Sequence, residues 1–88
     1  MILKLMNYDE FLSEFHSVSK IRPFSKEDIL DIAKEGLTDA LKGKKETVCF
    51  EVAVLDDRSK DVVEFCFIVE AAGETEEKEW TVRYLGML

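Results

Sequence analysis

The longest alternation of apolar and other residues in the chain runs over residues 61–71. Apolar side chains occupy every second position on one side of this run, and a mixed set occupies the other side. A period of two is typical of a β-strand, and a run this apolar requires a neighbour on both edges. We therefore predict that it is the central strand of an antiparallel sheet. The apolar side holds Val63, Phe65, Phe67, Val69 and Ala71, and the other side holds Glu64, Cys66, Ile68 and Glu70.

Two further alternating runs, residues 47–55 and 79–88, flank this strand. The register that brings every large residue onto one face pairs Val54 with Val63 and Val69 with Val82, because a slip of one residue would turn the apolar set outward. The connection 56–60 lacks glycine, which favours a loop of about four residues over a tight two-residue turn. The connection 72–78 is polar and acidic.

A first helix is predicted to begin at Asn7, a strong N-cap residue with Glu10 in position to complete a capping box. Met6 and Phe11 have the spacing of a hydrophobic staple. The helix should fade before Pro23, which disfavours helical geometry in the residue that precedes it. Its apolar stripe consists of Tyr8, Phe11, Leu12, Phe15 and Val18.

A second helix repeats this start, with Ser25 as N-cap and Asp28 as its capping-box partner. Gly36 lies in the middle of it, where glycine costs about 1 kcal/mol relative to alanine, and close packing on the sheet is a possible reason. Gly43 is predicted just beyond the helix end, followed by Lys44 and Lys45, which suit the C-terminal end of the helix dipole. The apolar stripe consists of Ile29, Ala33, Leu37, Ala40 and Leu41.

The elements predict one α+β domain over residues 1–88. It has two layers in the order ααβββ, with two N-terminal helices packed on one face of a three-stranded antiparallel meander. Residues 1–5 leave two possibilities open. They form an extra N-terminal edge strand, or they pack elsewhere and cover the back of the sheet.

Composition narrows the class of protein. The chain has 88 residues, 47% of them hydrophobic, which excludes a wholly disordered polymer. Neither a signal peptide nor a membrane span is visible, and two cysteines do not make a disulfide scaffold, so a cytoplasmic protein is expected. The net charge is −7, and residues 46–79 carry eleven acidic and three basic residues. Such a layout repels nucleic acid and steers towards basic partners.

No residue set indicates catalysis, a cofactor or a metal. His16 is the only histidine and has no nucleophile at a telling spacing. Cys49 and Cys66 are diagonal in the predicted register, too far apart for a disulfide, and are expected to be buried or half-buried free thiols. The aspartates of residues 56–61 lack the spacing and the glycine of a calcium loop.

The back of the predicted sheet is the candidate binding surface. Its three central rows are Cys49, Ile68 and Arg83, then Glu51, Cys66 and Leu85, then Ala53, Glu64 and Met87. An apolar centre with a charged rim is typical of a protein contact site, whereas an ordinary solvated face is mostly polar. Including the acidic loop, the residues predicted to bind a partner are Glu51, Glu64, Ile68, Glu70, Glu74, Glu76, Glu77 and Leu85.

The sequence therefore favours a small acidic, non-enzymatic interaction protein that binds a basic or nucleic-acid-binding protein, without direct nucleic acid or membrane contact. By size and charge alone it is comparable to inhibitors, immunity proteins and phage proteins that antagonise host nucleases. The alternative is a homodimer formed through the back face or through the edge of the last strand. An enzyme would instead need polar groups converging between helices and sheet.

Overall fold

Two helices and a four-stranded sheet make up the part of the chain that the computed structural model describes, residues 2–20, 23–42, 47–71 and 79–88. The sheet order is β1-β4-β3-β2. The protein is thus α+β, with both helices between the first and second strands. The elements are β1 (Ile2–Met6), α1 (Tyr8–Val18), α2 (Lys26–Lys42), β2 (Thr47–Leu55), β3 (Val62–Ala71) and β4 (Glu79–Met87).

The sheet is mixed, and the prediction of a three-stranded antiparallel meander is wrong in this respect. β2, β3 and β4 do form the meander, but β1 adds to it in parallel with β4. Of the two possibilities left open for the N-terminus, the structure shows the edge strand. β1 therefore does not cover the back of the sheet, and β4, with a neighbour on each side, is not an edge.

The predicted register of the meander is confirmed over most of its length. Val54 pairs with Val63, and Val69 pairs with both Val48 and Val82. On the far side of β4, Leu5 pairs with Val82, which brings β1 into the same apolar row. The burial of alternate side chains constrains this register, since a slip of one residue would expose the whole row.

A β-bulge near the end of β4 changes the last predicted row. Tyr84 pairs with Phe67, but Gly86 rather than Leu85 pairs with Cys66, so Leu85 is an extra residue in the strand. Gly86 has a φ of 136°, a backbone region that side-chain-bearing residues rarely adopt. Beyond the bulge Met87 pairs with Phe65 instead of Glu64. Paired residues share a face, so Met87 lies on the helix side and not on the back as predicted.

The core lies between the helices and one face of the sheet. Phe11 of α1 is at its centre, with its ring centroid 5.3 Å from those of Phe65 and Phe67. The predicted helix stripes supply the opposite side, and none of the described back-face residues belongs to the core. The fully or nearly fully buried apolar residues are Phe11, Phe15, Ile29, Ala33, Leu37, Val52, Val54, Phe65, Phe67, Val69, Trp80, Val82 and Tyr84.

The two helix starts differ. At α2 the predicted capping box is confirmed, because the Asp28 N–H donates to Ser25 Oγ at 3.1 Å and the Ser25 N–H donates to Asp28 Oδ2 at 3.2 Å. At α1 Asn7 is the N-cap residue, but it adopts the left-handed conformation and its side chain makes no capping bond. The chain turns there directly out of β1. The pleat of β1 also places Met6 on the back of the sheet beside Arg83, so the predicted staple with Phe11 does not form.

Hydrogen bonds between elements fix the helical layer. The Tyr84 hydroxyl of β4 donates to the Glu14 carboxylate of α1. The Tyr8 hydroxyl donates to the Phe24 carbonyl at 2.7 Å, which ties α1 to the segment before α2. Each tie satisfies a polar group inside an apolar layer.

Gly36 is not required by close packing. A Cβ at this position would lie 3.6 Å from Val48 Cγ1, an ordinary van der Waals contact. The predictions for Gly43, Lys44, Lys45 and the loop 72–78 lie outside the described residues, as do those for the side chains of Ala40 and Leu41.

Candidate functional site

The back of the sheet, called here the open face, has no helix over it within the described residues, because both helices pack on the opposite side. It consists of side chains from all four strands, and strand alternation alone places them there. Its described members are Lys4, Met6, Thr47, Cys49, Glu51, Ala53, Leu55, Val62, Glu64, Cys66, Ile68, Glu70, Glu79, Thr81, Arg83 and Leu85.

Large apolar side chains are unusually exposed on this face. The exposed fractions are 38% for Met6, 53% for Leu55, 65% for Val62 and 49% for Leu85. The half-buried Cys66 and Ile68 lie between them on β3. These residues lie along a diagonal of the sheet from the β2–β3 hairpin towards β1, with Glu64 between Val62 and Cys66 and Arg83 between Ile68 and Met6. We call this set of six residues the apolar band; it consists of Met6, Leu55, Val62, Cys66, Ile68 and Leu85.

The predicted partner-binding residues fall into two groups. Glu51, Glu64, Ile68, Glu70 and Leu85 lie together on the open face, with Leu85 held there as the extra residue of the bulge. Glu74, Glu76 and Glu77 lie outside the described residues. The structure thus assembles the sheet part of the predicted surface into one continuous patch.

Charges are divided across the open face. Lys4 and Arg83 lie on the β1 and β4 side, with Glu79 at the start of β4, whereas Glu51 and Glu64 lie on the β2 and β3 side. Among the described residues the one ion pair joins Arg83 Nη2 to Glu70 Oε1 at 3.1 Å. Both side chains are about half exposed, so the pair contributes little to stability. Its effect on the surface is to neutralise Glu70 and leave Glu51 and Glu64 as the exposed carboxylates beside the apolar band.

The two thiols of the open face are free, as predicted, although Cys49 is exposed rather than buried. Burial raises the pKa of the Cys66 thiol, and the carboxylates of Glu51 and Glu64 raise this pKa further. The thiolate is the nucleophilic form, so Cys66 is held in its unreactive state near neutral pH. Its role on this face is that of a small apolar group.

Three members of the apolar band are absent from the sequence-based surface. Leu55 and Val62 pair with each other at the end of the β2–β3 hairpin, and Met6 pairs with Arg83. The signal for Leu55 and Val62 was present, because both continue the odd–even alternation of their strands into the turn. Met6 could not be placed without the pairing of β1 to β4.

The other candidate residues have structural surroundings. His16 is exposed in the last turn of α1. Asp56 Oδ1 accepts the Arg58 N–H at 2.8 Å, and Asp57 Oδ2 accepts the Lys20 N–H at 2.9 Å. These carboxylates therefore shape the β2–β3 turn and fasten it to the end of α1.

Two depressions lie on the described surface near the ends of α1. One lies at the junction of β1 and α1 beside Tyr8 and Lys26, and another lies between the end of α1 and the β2–β3 turn. The described residues contain no group of three or more His, Cys, Asp or Glu side chains that could hold a metal ion. None of the described helices is long and apolar enough to cross a membrane.

Comparisons of the chain with protein-family models, with curated proteins and with solved structures find no match. The open face is therefore interpreted from its own chemistry.

Proposed function

We propose that the protein is a non-enzymatic binding module that docks a basic partner protein through the open face. The observation that carries this proposal is the apolar band, which is exposed on one face while the other face of the same sheet is covered by helices. Contiguous apolar surface with a polar rim is a feature of protein contact sites.

The apolar band supplies the anchor in this account. Ile68 lies near its middle, on β3, which is one of the two internal strands, and is half-buried by its surroundings. Residues at the centre of an interface contribute most to affinity, because their surroundings exclude water. Ile68 is therefore the residue whose change should affect binding most.

The carboxylates supply steering and orientation. Glu51 and Glu64 are exposed beside the band, and the chain carries 19 acidic and 12 basic residues in all. A surface of this sign speeds encounter with a basic partner and repels nucleic acid. An inhibitor that occupies the basic surface of another protein is the function of this class that best fits a small acidic domain.

Docking of the open face onto a second copy of the chain is the second candidate. The division of charge favours it, since a two-fold axis could place Lys4 and Arg83 of one copy opposite Glu51 and Glu64 of the other. In that case the apolar bands would cover each other and no basic partner would be needed.

Affinity capture from an extract of the source cell tests the proposal. Wild type is compared with Ile68→Lys and with Thr38→Lys, which makes the same change of charge on the exposed side of α2. We expect basic proteins to be captured by wild type and by the Thr38 variant, to be lost with the Ile68 variant, and to be released as salt is raised. Equal capture by the two variants would contradict the proposal, and loss of a dimer in Ile68→Lys without any captured protein would favour the second candidate.

A further inference from the structure

The two edges of the sheet are built differently. β1 has five residues and carries Lys4 at its centre. β2 has nine residues, without lysine, proline or glycine, and Glu51 is its one charge. Short strands and edge lysines are devices that prevent an edge from pairing with another strand. β1 is therefore protected and β2 is not.

The hydrogen-bonding direction of β2 can be assigned from its turn. The Asp56 N–H donates to the Asp61 carbonyl at 2.8 Å, and this pair continues the β2–β3 register by one step. Because the direction alternates along an antiparallel strand, the even-numbered residues of β2 face β3 and the odd-numbered residues face outward. The Leu88 N–H, which donates to the Glu64 carbonyl at 2.9 Å, agrees, since it shows that even-numbered residues of β3 face β4. Within the described residues no strand pairs with this outer edge.

The helix side of β2 is only partly covered along its first half. Val52 and Val54 are buried on the helix side, but Val48 and Phe50 of the same row are only half-buried. Phe50 stacks on Phe67 with centroids 5.1 Å apart, so one ring face is covered from within the sheet. A strand added to this edge would cover the remaining apolar surface of Val48 and Phe50.

We infer that β2 pairs antiparallel with β2 of a second copy, on a two-fold axis at Phe50, to give a dimer with one continuous eight-stranded sheet. This register places Phe50 opposite Phe50, Val48 opposite Val52 and Cys49 opposite Glu51. The outward amides and carbonyls of the odd-numbered residues then pair with one another.

Self-pairing fits the residues of this strand. The Phe50 register covers the two half-buried residues, and it opposes no charge to a like charge, whereas an axis at Glu51 would pair two carboxylates. Pairing two β2 edges leaves a protected β1 at each end of the new sheet. The assembly therefore closes at two copies and does not extend into a fibre.

Light scattering of the wild-type protein at about 100 μM, where mass action favours association, gives the first test. We expect a mass twice the 10.1 kDa of the chain. Ala53→Pro removes one outward N–H and leaves the ladder to β3 intact, whereas Ala53→Thr keeps that N–H. The proline variant should be a folded monomer by circular dichroism and the threonine variant a dimer.

A charge pair at Cys49 tests the register and keeps the inference falsifiable if the proline variant fails to fold. Cys49 is exposed and faces Glu51 of the second copy. Cys49→Lys should therefore tighten the dimer and Cys49→Glu should weaken it, each by roughly tenfold, because the two-fold axis repeats every pair. A monomeric wild type, a dimer unchanged by both Cys49 variants, or a dimer lost only in Ile68→Lys would overturn the inference.

Discussion

Phe67 and Ile68 are neighbours in β3, yet they belong to two different environments. Phe67 is fully buried and contacts aromatic rings from α1, β2 and β4. Ile68 is half-buried on the open face, between Cys49 and Arg83. The same backbone and the same β-propensity thus serve two faces, and only one of them is closed by the fold of the described chain.

The two faces of the sheet differ in whether burial in the core accounts for their apolar residues. On the helix side most large apolar residues are buried between the sheet and the helices, so burial accounts for their presence, whereas Val48, Phe50 and Met87 are only partly covered. On the open face the apolar band has no covering layer among the described residues. Exposed apolar surface of this kind adds little to stability, and the binding function that we propose gives a reason for its presence.

The largest difference is expected for truncation of the two neighbours. Phe67→Ala should lower the free energy of unfolding by about 3–5 kcal/mol, because it removes a buried ring and leaves a cavity. Ile68→Ala should cost less than about 1.5 kcal/mol, since part of the side chain is already in water. Urea unfolding of both variants measures these changes in the free energy of unfolding. Equal decreases in the two variants would mean that the open face is covered.

A smaller effect on stability is expected from the hydrogen bond between Tyr84 and Glu14, which joins the sheet to the helical layer. Tyr84→Phe removes the hydroxyl that donates to Glu14, a charge-assisted hydrogen bond, and should cost about 1.5–3 kcal/mol at neutral pH.

This tie also gives a pH dependence. Burial, followed by the hydrogen bond to Glu14 and its charge, raises the pKa of Tyr84 well above its usual value. The folded state therefore favours the protonated phenol, so stability is complete below about pH 10 and declines above it. Urea unfolding at about pH 8 and pH 11 should show a smaller alkaline loss in Tyr84→Phe than in wild type. An equal loss in both proteins would contradict the assignment.

The two glycines that the structure describes should change stability in opposite directions when each is replaced by alanine. Gly36→Ala should stabilise the protein by about 1 kcal/mol, because alanine favours the helix and the new methyl group meets Val48 at an ordinary distance. Gly86→Ala should destabilise it by about 1–2 kcal/mol, because its φ of 136° strains a residue with a Cβ although the space is open. Thermal unfolding of the two variants checks the signs. Stabilisation by the Gly86 change would show that the bulge is not needed.

The smallest effect is kinetic and concerns the rim. Replacing Glu51 and Glu64 with glutamine should slow association with the captured basic partner by a few-fold at low salt, with little change in dissociation. Surface plasmon resonance at two salt concentrations measures the association rate. The control is a double variant on α2, Glu35→Gln and Asp39→Asn, which changes the net charge by the same amount. An unchanged association rate would show that Glu51 and Glu64 do not steer the partner.

Sequence reasoning succeeded where the pattern is local. The alternation in residues 47–71, together with the short connection 56–60, predicted the pairing of Val54 with Val63, because a slip of one residue would expose the large side chains. The capping box of Ser25 and Asp28 was likewise readable, since its spacing is set by one helical turn.

It failed where distant contacts decide the outcome. β1 is a five-residue run whose parallel pairing with β4 depends on a partner more than 70 residues away, and no local pattern specifies that choice. The same pairing places Met6 on the open face. Asn7, the next residue, adopts the left-handed conformation where the chain leaves β1 for α1. Gly86 was a readable signal, since a glycine inside a strand often marks a bulge, and it explains the displacement of Met87.

The apolar side chains of the open face should be dispensable for folding. The decisive measurement is the free energy of unfolding of a fourfold variant, Leu55→Thr with Val62→Thr, Ile68→Thr and Leu85→Thr, because threonine retains β-propensity and removes apolar surface. We expect a folded protein that loses at most about 2 kcal/mol, less than the single change Phe67→Ala. A loss equal to or greater than that of Phe67→Ala would show that the apolar band belongs to the core.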